Sequence, residues 1–157
     1  KIILEKEELN INMMLEQVIE DFYPMLKELN KNINFTSDNN ITIYADSDKL
    51  SRVFNNLIKN AINYSKENTN IDIKVKKKDK EIKVEIINQG KMIPKDKLDK
   101  IFENFYRLDT SRTSKTGGSG LGLAISKQIV ELHNDKIEVT SNKDKTTFKV
   151  SLPLDME

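Results

Sequence analysis

The stretch TGGSGLGLA, residues 116–124, holds four of the chain's five glycines and leads directly into a helical pattern. Glycines before a helix let backbone N–H groups approach a ligand, and the helix N-terminus adds partial positive charge, so the stretch is typical of a phosphate site. A flexible tether is the other interpretation. No Lys-Ser or Lys-Thr follows the glycines, which excludes a Walker-type loop. A dinucleotide fingerprint would need a third glycine where Leu123 stands and a strand just before the stretch, and neither is present.

The composition predicts one domain with one core, because the chain has 157 residues and a hydrophobic content of 37%. Lys plus Arg total 26 and Asp plus Glu total 25, so the net charge of +1 offers no electrostatic case for nucleic acid. The absence of cysteine excludes disulfides and thiolate metal sites. No apolar run is long enough to cross a bilayer, and we expect no direct membrane contact.

The hydrophobic periodicity predicts an α+β fold. It is a two-layer α/β sandwich whose mixed, mostly antiparallel sheet is covered on one face by three helices. Helices are predicted over residues 11–29 with a kink at Pro24, and over 46–64, 94–106 and 120–133. Strands are predicted over residues 33–37, 41–45, 71–76, 81–87, 136–141 and 146–153, the first two joined as a hairpin. Residues 107–119 are polar and aperiodic, which predicts a mobile loop.

A cluster of asparagines lies in the segment FNNLIKNAINYS, residues 54–65. Asn56 and Asn60 are four residues apart and share one helix face, with Asn63 on the same side. Asparagine is a poor helix former, so the cluster needs a reason. One reason is the general richness of this chain in Asn, which makes the cluster a solvated surface. The other is that an amide oxygen is a neutral ligand for Mg²⁺, whose remaining ligands come from water and substrate phosphates.

Two further segments carry weaker signals. In IINQGKMIP, residues 86–94, a strand ends at Asn88 and Gly90 follows, which is also the pattern of a simple strand exit. In FENFYR, residues 102–107, two aromatic residues precede Arg107. The aromatics are ordinary core residues when taken alone, whereas an arginine beside a polar loop is a plausible phosphate partner.

Together and in this order, the four segments resemble the ATP-binding catalytic domain of sensor histidine kinases. The wider fold is the Bergerat ATP-binding fold, shared with type II topoisomerases, the ninety-kilodalton heat-shock chaperone and mismatch-repair ATPases. Asn56-x-x-x-Asn60-Ala61 matches the N box, and Asn88-x-Gly90 matches the first glycine box. Phe102-Glu103-x-Phe105-Tyr106-Arg107 matches the F box, and Gly118-x-Gly120-Leu121-Gly122-Leu123 matches the second glycine box. The run from Phe105 to His133 also resembles the VanS-type sensors of vancomycin resistance.

The resemblance implies that the chain binds Mg-ATP and transfers its γ-phosphoryl group to a histidine. It assigns catalysis to Asn56, Asn60 and Arg107, and the Mg²⁺ ligand to Asn60. The nucleotide-binding residues implied are Asn56, Asn60, Asn63, Tyr64, Asn88, Gly90, Met92, Ile93, Phe102, Tyr106, Arg107, Gly118, Gly120, Leu121, Gly122 and Leu123. Asn56 stands where the hydrolytic relatives hold a glutamate that activates water, so we expect transfer to a protein acceptor rather than hydrolysis.

The resemblance also implies partners. His133 is the sole histidine, and nothing around it resembles a phosphoacceptor segment, so it is interpreted as a structural residue at the end of the last helix. Residues 1–157 are therefore expected to be a single catalytic domain without its phosphoacceptor, dimerisation and sensor regions. The expected partners are the protein's own dimerisation domain and a response regulator. The intact protein is expected to be a membrane-anchored bacterial homodimer with this domain in the cytoplasm.

Three of the implied nucleotide-binding residues depart from the family pattern. Asn88 stands in place of the usual Asp, which predicts a weaker preference for adenine over guanine because an amide can both accept and donate. Met92 replaces a glycine, and Asn63 replaces a frequent cation, which predicts weaker phosphate binding. These departures favour the alternative of a degenerate nucleotide-binding module that acts as an interaction or phosphatase-control domain. A true ATPase and a serine kinase are further alternatives, disfavoured by Asn56 and by the F box.

Overall fold

The computed structural model describes residues 2–38, 40–103 and 122–154. The strands are β1 (Glu7–Asn10), β2 (Asn32–Ser37), β3 (Thr42–Ala45), β4 (Asn70–Lys78), β5 (Glu81–Gln89), β6 (Ile137–Asn142) and β7 (Lys145–Pro153). The helices are α1 (Ile11–Asp21), α2 (Tyr23–Leu29), α3 (Ser47–Tyr64), α4 (Lys95–Leu98) and α5 (Gly122–Leu132).

The main sheet has five strands in the order β2-β4-β5-β7-β6. Its pairs are antiparallel except for β2 and β4, which run parallel. A separate two-stranded sheet joins β1 to β3. This arrangement confirms the predicted α+β fold with a mixed, mostly antiparallel sheet.

One face of the sheet is covered by helices because its strands alternate apolar and polar side chains. Ile71, Ile73 and Val75 of β4 are buried in the same core as Leu57 and Ile129 from α3 and α5. On the other face Glu85 lies opposite Lys74 and Lys149, so opposite charges face each other across three strands. That face is therefore suited to solvent, and the described parts of α3 and α5 pack on the opposite face.

Helix α3 is the central helix of the layer, and it begins where the sequence predicts. Asp46 is its N-cap, and its carboxylate accepts the Lys49 N–H at 3.0 Å. The predicted apolar stripe is buried: it comprises Leu50, Val53, Phe54, Leu57, Ile58 and Ala61.

The predicted helix over residues 11–29 is two helices instead of one kinked helix. The break lies at Phe22, whose N–H donates to the Ile19 carbonyl at 2.9 Å. Pro24 is the second residue of α2, in the first helical turn, where its missing N–H leaves no bond unmade. Proline therefore marks the start of the second helix.

The predicted hairpin of residues 33–37 and 41–45 is wrong. β2 pairs with β4, and β3 pairs with β1. The Asn12 side chain donates to Ser37 Oγ and to the Asp38 carbonyl, and its oxygen accepts the Ile41 N–H at 3.2 Å. These bonds occupy the connection and direct the two strands into different sheets, so tertiary contacts override the local turn tendency.

Several other predicted bounds differ from the structure. Strand β1 was not predicted. The helix predicted over residues 94–106 is helical only at Lys95–Leu98 among the described residues, and 104–106 lie outside them. The last predicted helix is described from Gly122. The predicted loop of residues 107–119 lies outside the described residues.

Candidate functional site

The predicted asparagines lie on the C-terminal half of α3. Asn56, Asn60, Asn63 and Tyr64 are all half-buried, at the border between the apolar stripe and the surface. Among the described residues, no hydrogen bond engages the side-chain amide of Asn60 or Asn63. Their oxygens are therefore available to a ligand on this side of the helix.

The exit of β5 packs directly against the end of α3. The Lys66 N–H donates to the Gln89 carbonyl at 2.8 Å, and a Cβ on Gly90 would lie 2.6 Å from the Tyr64 carbonyl oxygen. Real Cβ atoms essentially never approach this closely, so only glycine fits at this position. The Gly90 N–H donates to the Asp144 carbonyl at 2.8 Å, which ties the same turn to the β6–β7 connection.

Asn88 is the most informative side chain of this region. It is only 4% exposed, yet its amide makes no hydrogen bond to any other described residue. Its Nδ2 lies 3.2 Å from the position of a Cβ on Gly90, so the amide packs closely against the glycine. Buried polar groups are almost always hydrogen-bonded, so a buried amide with no partner among the described residues is suited to bind a polar ligand.

Sequence reasoning missed a short polar chain beside Asn88. Thr146 lies directly opposite Asn88 in the β5–β7 pair and is also 4% exposed. Its Oγ1 lies 3.0 Å from Ser141 Oγ, which in turn accepts the Ile93 N–H at 2.9 Å. No local motif marks Thr146, because its position depends on the register of β7 against β5. Through its hydrogen bond to Ser141, the predicted site residue Ile93 lies next to these polar side chains.

Asn56 joins α3 to the start of α5. Its Nδ2 lies 3.5 Å from both the Gly122 carbonyl oxygen and Ser126 Oγ, so both contacts are long. A Cβ on Gly122 would lie 3.4 Å from the same Nδ2. The structure therefore brings Asn56 and Gly122 together, and Leu123 follows on the same helix. Ser126 is fully buried and was not predicted as a site residue.

Of the remaining predicted site residues, two lie in the described part of the chain and five lie outside it. Phe102 packs edge-on against Phe148, with ring centroids 6.1 Å apart, and Lys127 Nζ lies 5.6 Å from its centroid. Met92 is half-exposed. The others lie outside the described residues; they are Tyr106, Arg107, Gly118, Gly120 and Leu121.

His133 is buried at the end of α5, as a structural residue should be. Its Nδ1 lies 2.8 Å from the Ile129 carbonyl oxygen, so this nitrogen donates, and its Nε2 accepts the Asp46 N–H at 3.0 Å. Burial lowers the pKa of His133 below its ordinary value, although the Ile129 bond and the Asp46 charge oppose this. The imidazole is therefore neutral near pH 7, and it links the end of α5 to the N-cap of α3.

The residues present fit a nucleotide better than a protein-ligated metal. Among the described residues, no three Asp, Glu, His or Cys side chains are grouped as metal ligands. Magnesium here would take the Asn60 amide oxygen in place of the carboxylates it usually binds, and water and phosphate oxygens would complete its ligands. The Asn88 amide, which has no hydrogen-bond partner among the described residues, has the donor and acceptor groups that a purine base requires.

Comparison with known proteins identifies the family. Residues 45–156 match the model of the histidine kinase-, DNA gyrase B- and HSP90-like ATPases. The chain belongs to this family. It is 46% identical to the sensor protein VanS of Enterococcus faecium over 152 residues, which is 97% of this chain and 39% of VanS. The chain therefore spans about two fifths of the length of this relative.

Solved histidine kinase structures share the fold. The nucleotide-free catalytic domain of histidine kinase ThkA is similar with a TM-score of 0.86 and 29% identity, covering 96% of this chain and 97% of that one. ThkA in complex with the response regulator protein TrrA is similar with a TM-score of 0.83 and 28% identity, covering 97% of this chain and 42% of that one. The predicted resemblance to sensor histidine kinases is confirmed.

Proposed function

We propose that this chain binds Mg-ATP and supplies the γ-phosphoryl group to a histidine on a separate dimerisation domain of the same protein. The observation that carries the proposal is the buried amide of Asn88, which has no hydrogen-bond partner among the described residues and lies beside Gly90, against the end of the helix that holds Asn60. A purine base would satisfy that amide, and its phosphates would then extend along α3. None of the helices in the described ranges is long and apolar enough to cross a membrane.

The chain's own groups support a positioning role. Asn60 has an amide oxygen that no other described residue engages, one turn before Tyr64, and Asn56 lies against the first turn of α5. Phosphoryl transfer depends mainly on positioning and on neutralising charge, and bound Mg²⁺ would supply much of that neutralisation. Arg107 and the glycines of residues 117–122 remain proposed phosphate partners from the sequence.

The chain's chemistry favours a protein acceptor over water. Asn56 cannot take a proton, so it cannot act as the base that activates water for hydrolysis. His133 cannot serve as the acceptor, because it is 1% exposed and both of its nitrogens are engaged. We therefore assign the acceptor role to a histidine on the dimerisation domain, and a response regulator would receive the phosphoryl group next, in line with the solved complex of ThkA with the response regulator protein TrrA.

Calorimetric titration with a non-hydrolysable ATP analogue tests the binding step. We expect Mg²⁺ to strengthen binding by about tenfold. Asn60→Ala should remove that magnesium dependence, whereas Asn55→Ala, an exposed asparagine on the same helix, should leave it unchanged. Absence of binding at millimolar nucleotide would refute the proposal.

Incubation with the dimerisation domain of the full-length protein and labelled ATP tests the transfer step. Acid-labile phosphate on that domain, lost with Asn60→Ala, is the expected result. Nucleotide binding without any transfer would favour the degenerate binding module, whose supporting observation is the half-exposed Met92 in place of a glycine.

A further inference from the structure

Lys31 is a buried cation that the proposed nucleotide chemistry does not use. The residue is 9% exposed, and lysine is rarely buried without a partner. Its Nζ donates to the Ile62 carbonyl at 2.8 Å and to the Ser65 carbonyl at 3.0 Å. Both acceptors belong to the C-terminal end of α3.

The end of α2 directs Lys31 inward. Asn30 closes the helix in the left-handed conformation, with φ 57°, and the Lys31 N–H donates to the Leu26 carbonyl at 2.9 Å. Asn30 Nδ2 also donates to Asn68 Oδ1 at 3.1 Å. The Asn30–Asn68 hydrogen bond therefore joins the turn after α2 to the turn after α3, and Lys31 lies between the two turns.

Lys31 places a cation at the C-terminal end of α3, where the helix has none of its own. The helix has Asp46 and Asp48 at its N-terminus but no basic residue in its last turn, so its own sequence leaves the negative end of the dipole uncompensated. Lys31 supplies that charge from another element. Burial lowers the pKa of its ammonium group below the ordinary value, and the Glu67 charge opposes this.

The turn held by Lys31 is the turn that forms the candidate site. Its two acceptors, at Ile62 and Ser65, bracket Asn63 and Tyr64 in the sequence. The carbonyl of Tyr64 lies against Gly90, so the position of this turn sets the distance between α3 and the exit of β5.

We propose that Lys31 is a positioning residue of the candidate nucleotide site, which holds the last turn of α3 against Gly90 through the carbonyls of Ile62 and Ser65. The inference rests on the proposed nucleotide binding. It adds a residue that contacts no nucleotide and belongs to none of the four matched segments.

The test compares Lys31→Met, which removes the charge and the donors, with Lys31→Arg, which keeps both. Val18→Ala, a buried position on α1 away from the site, provides a variant of reduced stability, and Lys78→Met removes an exposed charge at the β4–β5 turn. Three quantities are measured for each: the free energy of unfolding in urea, the Kd for the magnesium-bound ATP analogue, and the amide resonance of Gly90 without nucleotide. If Lys31→Met does not fold, Lys31→Gln replaces it.

We expect Lys31→Met to shift the Gly90 resonance and to weaken nucleotide binding by about tenfold under conditions in which it is folded. Lys31→Arg should restore most of the affinity. Val18→Ala should lose stability but keep the wild-type Kd and Gly90 resonance. Lys78→Met should leave the Kd and the Gly90 resonance at wild-type values.

The proposal is overturned if Lys31→Met loses stability as Val18→Ala does while the Kd and the Gly90 resonance stay at wild-type values. If the wild-type chain binds no nucleotide, the proposed function fails, and the Gly90 resonance alone decides the positioning role. A shifted resonance then supports it, and an unchanged one refutes it.

Discussion

Replacing His133 with alanine should remove the hydrogen bond that links α5 to α3, the two helices that carry Gly122 and Asn60 of the candidate site. The imidazole is 1% exposed and joins the end of α5 to the Asp46 N–H at the start of α3. Alanine leaves that N–H buried without an acceptor, which costs about 1–3 kcal/mol. The emptied volume adds a cavity term of about 1 kcal/mol or more. We therefore expect a loss of about 3 kcal/mol in the free energy of unfolding.

Urea denaturation followed by circular dichroism measures this loss. With a slope of about 2 kcal/mol per molar urea, the midpoint should fall by about 1.5 M. His133→Gln is the matched variant, because its side-chain oxygen can still accept the Asp46 N–H, and it should lose less than half as much. Equal losses for alanine and glutamine, or a loss below about 1 kcal/mol for alanine, would refute the hydrogen-bond argument.

The same contact predicts a pH dependence. Because the pKa of His133 is lowered in the folded chain, the unfolded chain binds the proton more readily. The stabilisation is complete above the unfolded pKa of about 6.5 and is lost as the pH falls below it. Asp135 acts in the opposite direction over part of this range, so the measurement belongs in an Asp135→Asn background. There, stability that does not fall between pH 6.5 and 5.5 would contradict the prediction.

Three further outcomes are expected. Asp135→Asn should raise stability above pH 7 by about 1 kcal/mol after discounting for solvent screening, because burial and the Glu81 carboxyl raise the pKa of Asp135 to about 6 and its ionised form is disfavoured. The folded chain binds this proton more readily, so the gain should vanish in urea titrations near pH 4, and a gain that persists there would contradict the cause. Gly90→Ala should abolish nucleotide binding and destabilise the chain, since its Cβ would meet the Tyr64 carbonyl oxygen at 2.6 Å; a calorimetric Kd equal to wild type would disprove that contact. Asn88→Asp should increase the ratio of ATP to GTP affinity in competition titrations, because a carboxylate accepts from an adenine amino group but repels the guanine oxygen, and an unchanged ratio would argue against Asn88 as the base-reading residue.

The sequence alone determined the elements that depend on close neighbours along the chain. Helix α3 follows from its N-cap at Asp46 and from apolar residues at steps of three and four, and β4 and β5 follow from strict alternation around a short polar turn. The four matched segments also indicated the family, because each is a short run of fixed spacing. Roles assigned to Asn60, Arg107 and the glycines remain predictions.

The tertiary structure decided what depends on residues far apart in the chain. The sequence predicted a hairpin for β2 and β3, but β2 lies beside β4, and the Asn12 side chain binds the connection between β2 and β3. Thr146 faces Asn88 only through the register of β7. Lys31 reaches the end of α3 across 31 residues of sequence, and the hydrogen bond from the Asp46 N–H to His133 spans 87. Local periodicity carries no information about such partners, since they are selected by the burial and hydrogen bonding of the whole folded chain.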